Sequence, residues 1–231
     1  MTASRDSLPA ITRPDSDIVL ISEWIVDTPE RQRATAETAI NAWEHDWPEG
    51  LLSHSCFVGI EDTTVLHYSQ WTSEEAADEG MHELDAVVDS ERHEITPYRL
   101  YRSFVPDSSS RPRGCIVVIS FETDGPEWQR KLVDWLVDRL PDSEPHPGMI
   151  SNHFHISTDG TRMLNYTEWT DEEAHRDVVE NDLRESDEVP QMIDAMTGVR
   201  GLGYKRFTFH RHLAKPDLTH GDLKTDLRPK S

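Results

Sequence analysis

Hydrophobic and polar residues follow one another along this chain in blocks that repeat after 98 positions. A β-rich apolar run opens each block, IVLIS at residues 18–22 and IVVIS at residues 116–120. Pro29 and Pro126 then stand where a helix would begin, and apolar residues follow them at steps of three and four. The pattern predicts a strand followed by an amphipathic helix in each block.

The next part of each block reads as a hairpin followed by a second helix. Residues 51–71 and 149–169 each contain two β-rich runs around a polar turn, and Asp159-Gly160 is a strong hairpin signal. Trp71 and Trp169 end these runs directly before TSEE and TDEE, whose threonines predict helix caps. A last β-rich run closes each block, so the predicted order is strand, helix, strand, strand, helix, strand.

The two blocks are copies of one another. When residues 50–76 are set against 148–174 without a gap, ten of the 27 positions are identical. We therefore expect two similar halves, residues 17–105 and 114–213, joined by a linker at 106–113. Residues 1–16 and 214–231 are polar, contain prolines and lack apolar periodicity, which predicts flexible arms.

The element order is that of a ferredoxin-like unit, which makes the fold class α+β. In such a unit the helices cover only one face of the antiparallel sheet, and the other face needs a partner. Two tandem repeats can pack sheet against sheet into a closed or nearly closed α+β barrel, which also removes unpaired sheet edges. This arrangement provides a pocket in each half.

Composition excludes several classes of partner. The formal charge of -21 is spread over all 231 residues, whereas nucleic-acid binding needs clustered Lys and Arg. The apolar runs are too short to span a bilayer and the N-terminus lacks a signal-peptide pattern, so we expect a cytoplasmic protein with no membrane partner. Cys56 and Cys115 fall in predicted strands without CxxC spacing, which predicts buried free thiols.

A polar residue and a tryptophan share one strand face in each copy. Alternation places Asn165 and Thr167 beside Trp169, and it places His67 beside Trp71. An indole can stack on a planar phenol, while an amide donor holds the phenolate or developing carbonyl oxygen in a low-dielectric lumen. The alternative is that Asn165 satisfies a buried backbone group and that Trp169 packs the core.

His153 and His155 share a face of the preceding strand and are further candidates for substrate binding. A two-residue turn at Asp159-Gly160 would pair Phe154 with Asn165, whereas a three-residue bulged loop would pair His153 with it. The sequence leaves this register open. We expect no metal here, because no carboxylate stands at a supporting spacing.

The last strand carries a run of alternating polar residues opposite Phe207 and Phe209. This pattern predicts a polar lumen face on which Arg206 or His210 meets substrate oxygen. A solvated strand face is the alternative. The face comprises Tyr204, Arg206, Thr208, His210 and His212.

The order of elements and the run NYTEW at residues 165–169 resemble the antibiotic biosynthesis monooxygenase family of the dimeric α/β-barrel superfamily. The resemblance covers residues 17–105 and 114–212. It implies that Asn165 and Trp169 line the substrate pocket and take part in catalysis on an aromatic polyketide. In the first copy His67 replaces the asparagine while Trp71 is retained, so the equivalent site there is altered or lost.

The resemblance implies attack of O2 on an electron-rich phenolic ring, in one of two ways. Either the enzyme forms a quinone without a cofactor, or reduced flavin (FADH2 or FMNH2) assists ring opening as a diffusible cosubstrate delivered by a flavin reductase. No GxGxxG fingerprint occurs, so no tightly bound cofactor is expected. A non-catalytic protein that binds a hydrophobic ligand is the alternative, and a homodimer is a further expectation.

Overall fold

The computed structural model describes residues 8–45, 47–61, 63–85, 95–106, 111–139, 145–182 and 188–215. The first half contains β1 (Ile18–Ile25), α1 (Pro29–His45), β2 (Leu51–Gly59), β3 (Thr64–Trp71), α2 (Glu74–Asp85) and β4 (Thr96–Phe104). The second half contains β5 (Cys115–Thr123), α3 (Pro126–Arg139), β6 (Met149–Ser157), β7 (Arg162–Trp169), α4 (Glu172–Asp177), a π-helical turn (Val178–Asp182), α5 (Glu188–Ala195) and β8 (Val199–Ala214). None of the helices in these ranges is long and apolar enough to cross a bilayer.

The eight strands form one closed antiparallel barrel in the order β1-β3-β2-β8-β5-β7-β6-β4. Each half contributes four neighbouring strands, and the halves are joined where β2 pairs with β8 and where β4 pairs with β6. The predicted α+β barrel of two ferredoxin-like sheets is therefore confirmed. Closure leaves neither sheet with an unpaired edge.

Each strand presents one face to the barrel interior, which we call the lumen, and the other to the surrounding helices, which we call the helix-covered face. Side chains fill the centre of the lumen. Tyr68 and Tyr166, which occupy equivalent positions in the two copies, are fully buried there with ring centroids 5.5 Å apart. Phe57 and Phe207 pack in the same cluster. Both halves thus build the lumen together.

Two glycine positions explain part of the sequence repeat. A Cβ atom on Gly50 would lie 2.4 Å from Cβ of Ala76, and a Cβ on Gly148 would lie 2.3 Å from Cβ of Ala174. The start of each hairpin therefore contacts the second helix of its half too closely for any larger residue. The same glycine–alanine contact in both halves accounts for these identities.

The second helix of each half is capped one residue later than the sequence predicts. Ser73 Oγ accepts from Ala76 N at 3.2 Å, and Asp171 Oδ1 accepts from Ala174 N at 2.8 Å. Thr72 N instead donates to the Gly50 carbonyl at 3.0 Å. The threonines extend the strand ladder, so the following residues become the caps.

Residues 8–16 are not a flexible arm, and that part of the prediction is wrong. Ile11 is 5% exposed and packs in the lumen cluster, where Gln70 Nε2 donates to its carbonyl at 3.3 Å. Arg13 donates to the Leu52 carbonyl at 3.2 Å. A lone apolar residue has no period, so the sequence pattern could not reveal it. Residues 1–7 and 216–231 lie outside the described residues.

The two lumen tyrosines should differ in their response to loss of the hydroxyl group. His155 Nδ1 donates to the His153 carbonyl at 3.1 Å, so its Nε2 accepts from Tyr68 Oη at 3.1 Å. Tyr166 Oη is buried and has no partner within the part of the chain that the structure describes. We expect Tyr68→Phe to lower the free energy of unfolding by about 1–3 kcal/mol and Tyr166→Phe to leave it unchanged or raise it. Urea denaturation measures both, and equal losses would contradict the assignment.

Candidate active site

The β6–β7 hairpin decides on which side of the sheet each candidate residue lies. Phe154 pairs with Asn165 and Asn152 pairs with Thr167, which is the register of the two-residue turn. Asn165, Thr167 and Trp169 therefore face the helices of the second half, while Tyr166 faces the lumen. The expectation that the asparagine and the tryptophan line the lumen is wrong, because this pairing turns them to the helix-covered face.

His153 and His155 lie in the lumen, on the opposite side of the sheet from Asn165. His153 Nδ1 lies 2.9 Å from Ser103 Oγ. Burial lowers the pKa of His153 to about 4, with a further contribution from Arg113, and burial lowers the pKa of His155 to about 3. Both rings are neutral near pH 7, and the structure does not bring them together with Asn165.

Asn165 presents an unused hydrogen-bond acceptor. Its Nδ2 donates to Asn152 Oδ1 at 3.3 Å, a side-chain rather than a backbone partner. Its Oδ1 is buried and has no hydrogen-bond partner among the described residues. A buried acceptor left unpaired costs about 1–3 kcal/mol, so this oxygen is a natural contact for a hydroxyl group from a ligand.

The N–H group of Trp169 is bonded within the protein. The indole Nε1 donates to Thr167 Oγ1 at 2.7 Å, and the Thr167 hydroxyl donates to the Val117 carbonyl at 3.2 Å. This chain holds the ring at a fixed angle. Trp169 packs in a cluster with Cys115 and Met149 and is 5% exposed.

His175 is a site residue that the sequence analysis did not identify. It is 3% exposed on α4, and its ring lies edge-on to Trp169 with centroids 5.1 Å apart. Arg206 Nε donates to His175 Nδ1 at 3.0 Å, so the ring proton is on Nε2. Burial, and then the charge of Arg206, lower the pKa of His175 to about 4. In the sequence, this role was indicated by the position of His175 in the first helical turn after Trp169, the residue that ends β7.

Arg206 lies beside this site and not in the lumen as predicted. It pairs with Val117, whose side chain faces the helices, and it forms a salt bridge with Glu61 from the first half. The guanidinium also lies over the Tyr204 ring, 5.0 Å from its centroid. Arg206 therefore orients His175 and links the site to the other half.

His210 is remote from the candidate site. Its Nε2 lies 3.2 Å from Glu37 Oε2 on α1. The pairing of β2 with β8 shifts so that Phe57 pairs with Phe209 but Cys56 pairs with Arg211. This bulge at His210 reverses the alternation, so the prediction of one polar face from residue 204 to 212 is wrong.

The equivalent position in the first half has a different environment. Trp71 Nε1 donates to Ser69 Oγ at 2.9 Å, which repeats the arrangement of the second half. The ring centroids of His67 and Trp24 lie 4.1 Å apart, and both residues border a cavity at this position. The remaining cavity is about 20 Å³, enough for about one water molecule and too small for a polycyclic substrate.

A larger cavity of about 350 Å³ opens at one end of the barrel. Its walls include Tyr98, Ser120 and Leu164, and a salt bridge of 2.7 Å joins Lys205 and Glu23 across it. The volume is in the range of small-molecule sites. It lies on the lumen side of β7, and so on the other side of the sheet from Asn165.

Comparisons with known proteins find monooxygenases among the chains that are similar to this one. No family model matches the chain. An anthrone oxidase-like protein of known structure superposes with a TM-score of 0.72 at 15% identity, covering 88% of this chain and 95% of that one. A monooxygenase from the gene ActVA-Orf6 of Streptomyces coelicolor, solved with nanaomycin D, is 31% identical over 46% of this chain and 94% of its own, with a TM-score of 0.36.

One curated relative is similar over a shorter region. Tetracenomycin-F1 monooxygenase of Streptomyces glaucescens is 44% identical over 52 residues, which is 22% of this chain and 46% of that protein. This chain therefore spans about half the length of the curated relative that it matches. The superposition with the anthrone oxidase-like protein shows the fold alone.

Proposed function

We propose that this chain, a duplicated member of the antibiotic biosynthesis monooxygenase family, oxidises an electron-rich polycyclic aromatic polyketide with O2. The observation that carries the proposal is the buried Oδ1 of Asn165, which lacks a partner among the described residues and shares a strand face with Trp169. The names of the relatives favour the same class of substrate.

A planar phenol suits this pair of side chains. Its hydroxyl group donates to Asn165 Oδ1 and its ring packs against the indole of Trp169. The indole cannot rotate away, because Thr167 holds its N–H group at 2.7 Å. The polar contact fixes the orientation of the substrate, and the aromatic contact supplies most of the buried apolar area.

The proposed chemistry is conversion of an activated ring CH2 group to a carbonyl. The CH2 group loses one proton to solvent and becomes a carbanion stabilised by the conjugated phenol, which gives an electron to O2. The two radicals combine into a peroxide anion, which takes up a proton from solvent, and the resulting hydroperoxide loses water. One oxygen atom enters the product and the other leaves as water with the two hydrogens, so no external reductant is needed. His175, with its proton on Nε2, donates to the developing peroxide or carbonyl oxygen, and Arg206 holds the ring in place.

A turnover assay tests this function. The purified chain is incubated with a phenolic anthrone-type polyketide under 18O2, with and without FMN or FAD and a flavin reductase. We expect one labelled oxygen in a quinone product without flavin. Turnover that requires reduced flavin would contradict cofactor-free quinone formation and indicate ring opening. A ligand that binds unchanged under all conditions would contradict the enzyme and indicate a non-catalytic binder.

A further inference from the structure

The first half carries a cluster of three side chains for which the proposed oxidation has no use. His54 and Cys56 lie on the helix-covered face of β2, and His67 lies directly opposite Cys56 on β3. All three are buried, with exposures of 3%, 0% and 7%. Their ligand atoms all lie within 4.8 Å of one another.

The distances within this cluster are those of a metal site. His54 Nε2 lies 3.2 Å from His67 Nδ1, and Cys56 Sγ lies 3.6 Å from the first nitrogen and 3.3 Å from the second. Zinc bonds of about 2.05 Å to nitrogen and about 2.3 Å to sulfur, set at tetrahedral angles, place two nitrogens about 3.3 Å apart. They place sulfur about 3.6 Å from nitrogen. The observed triangle therefore suits a zinc ion without rearrangement of the strands.

The space beside the cluster supplies the fourth position. The cavity of about 20 Å³ is bordered by both histidines, together with Ser69 and Trp43. It holds about one water molecule, and two imidazoles with one thiolate leave one tetrahedral position open. Three side chains and one water molecule in this cavity make four ligands, the number that zinc takes.

The second half shows that this cluster is not required by the fold. The equivalent positions there are Asn152, Phe154 and Asn165, and the two amides are bonded to each other.

We propose that His54, Cys56 and His67 bind one zinc ion, with a water molecule in the adjoining cavity as fourth ligand. The Cys56 thiol loses its proton to solvent on binding, because the thiolate is the ligand. The first half thus binds a metal at the positions that Asn152, Phe154 and Asn165 occupy in the second half. This inference does not depend on the proposed function.

Metal analysis of the tag-free, full-length protein tests the inference. The protein is reduced, stripped with a chelator, reloaded with Zn²⁺ in an excess of Mg²⁺, and freed of unbound metal. We expect about one zinc per chain. Replacement by Co²⁺ should give a thiolate-to-cobalt charge-transfer band and the intense visible bands of a tetrahedral site. Fewer than about 0.1 zinc per chain after loading would overturn the proposal.

Matched variants assign the ligands. Cys56→Ser should lower bound zinc at least tenfold and abolish the charge-transfer band, while Cys115→Ser, which removes the buried thiol of the other half, should leave both unchanged. Should Cys56→Ser fail to fold, His67→Asn provides a second test, because asparagine occupies the equivalent position of the second half. Full zinc content in a folded His67→Asn variant would overturn the assignment.

Discussion

Replacement of Asn165 by alanine is expected to lower kcat/KM for the aromatic substrate at least tenfold. The variant loses the buried Oδ1 that accepts the substrate hydroxyl, and a lost contact of about 1.4 kcal/mol in the transition state corresponds to a factor of ten. Trp169→Phe should have an effect of similar size, because phenylalanine cannot bond to Thr167 and offers a smaller stacking surface. Steady-state kinetics with the substrate used in the turnover assay measure both.

The matched control is Ser53→Ala. Ser53 is 1% exposed and bonds to Gln70 at 2.7 Å, but it lies in the first half and faces the lumen. It should change stability without changing kcat/KM. Unchanged rates in both Asn165→Ala and Trp169→Phe would show that the substrate binds elsewhere.

The protein is expected to lose stability steeply as the pH falls below about 6. Three lumen histidines have folded-state pKa values below the ordinary 6.5, mainly because of burial: His153 and His212 at about 4, and His155 at about 3. Arg113 lowers the pKa of His153 further, and Arg13 lowers the pKa of His212 further. His153 in turn lowers the pKa of His155 further. At a pH between the folded-state and the unfolded-state pKa of such a histidine, the unfolded chain binds more protons than the folded chain. The free energy of unfolding therefore decreases as the pH falls. Each of these histidines contributes about 1.4 kcal/mol per pH unit, and the buried His54 and His175, with pKa values of about 3 and about 4, contribute in the same way.

Thermal unfolding measured from pH 7.5 to 4.5 tests this dependence. His212→Gln, which can retain a bond to Ser55, should reduce the slope by about one fifth, because it removes one of five buried histidines with lowered pKa values. A melting temperature that is constant down to pH 5 would contradict neutral buried histidines.

The order of elements and the barrel could be predicted because their signals are local and occur twice. Apolar alternation, helix periodicity and the strand-ending tryptophans recur at the same offset, so each copy supports the interpretation of the other. Packing of two sheets follows because one face of each lacks helices. The equivalent tyrosines that meet at 5.5 Å are the physical result.

The side of the sheet could not be predicted, because β3 and β7 are buried on nearly every residue. A strand that is buried on both faces lacks the polar alternation that shows which residues face the lumen and which face the helices. Only the register of the hairpin then determines the face on which each residue lies. The β-bulge at His210 likewise prevented the sequence alternation from showing which face of β8 each residue occupies. His54, Cys56 and His67 come together only through strand pairing, so their spacing along the sequence gives no metal motif.

A crystal structure with a bound phenolic polyketide tests the central claim most directly. The account predicts an aromatic ligand on the helix-covered face of the second half, in contact with the Trp169 ring, with a hydroxyl group within about 3.2 Å of Asn165 Oδ1. A ligand seated instead in the cavity of about 350 Å³ at the barrel end, between Tyr98 and Lys205, would contradict it.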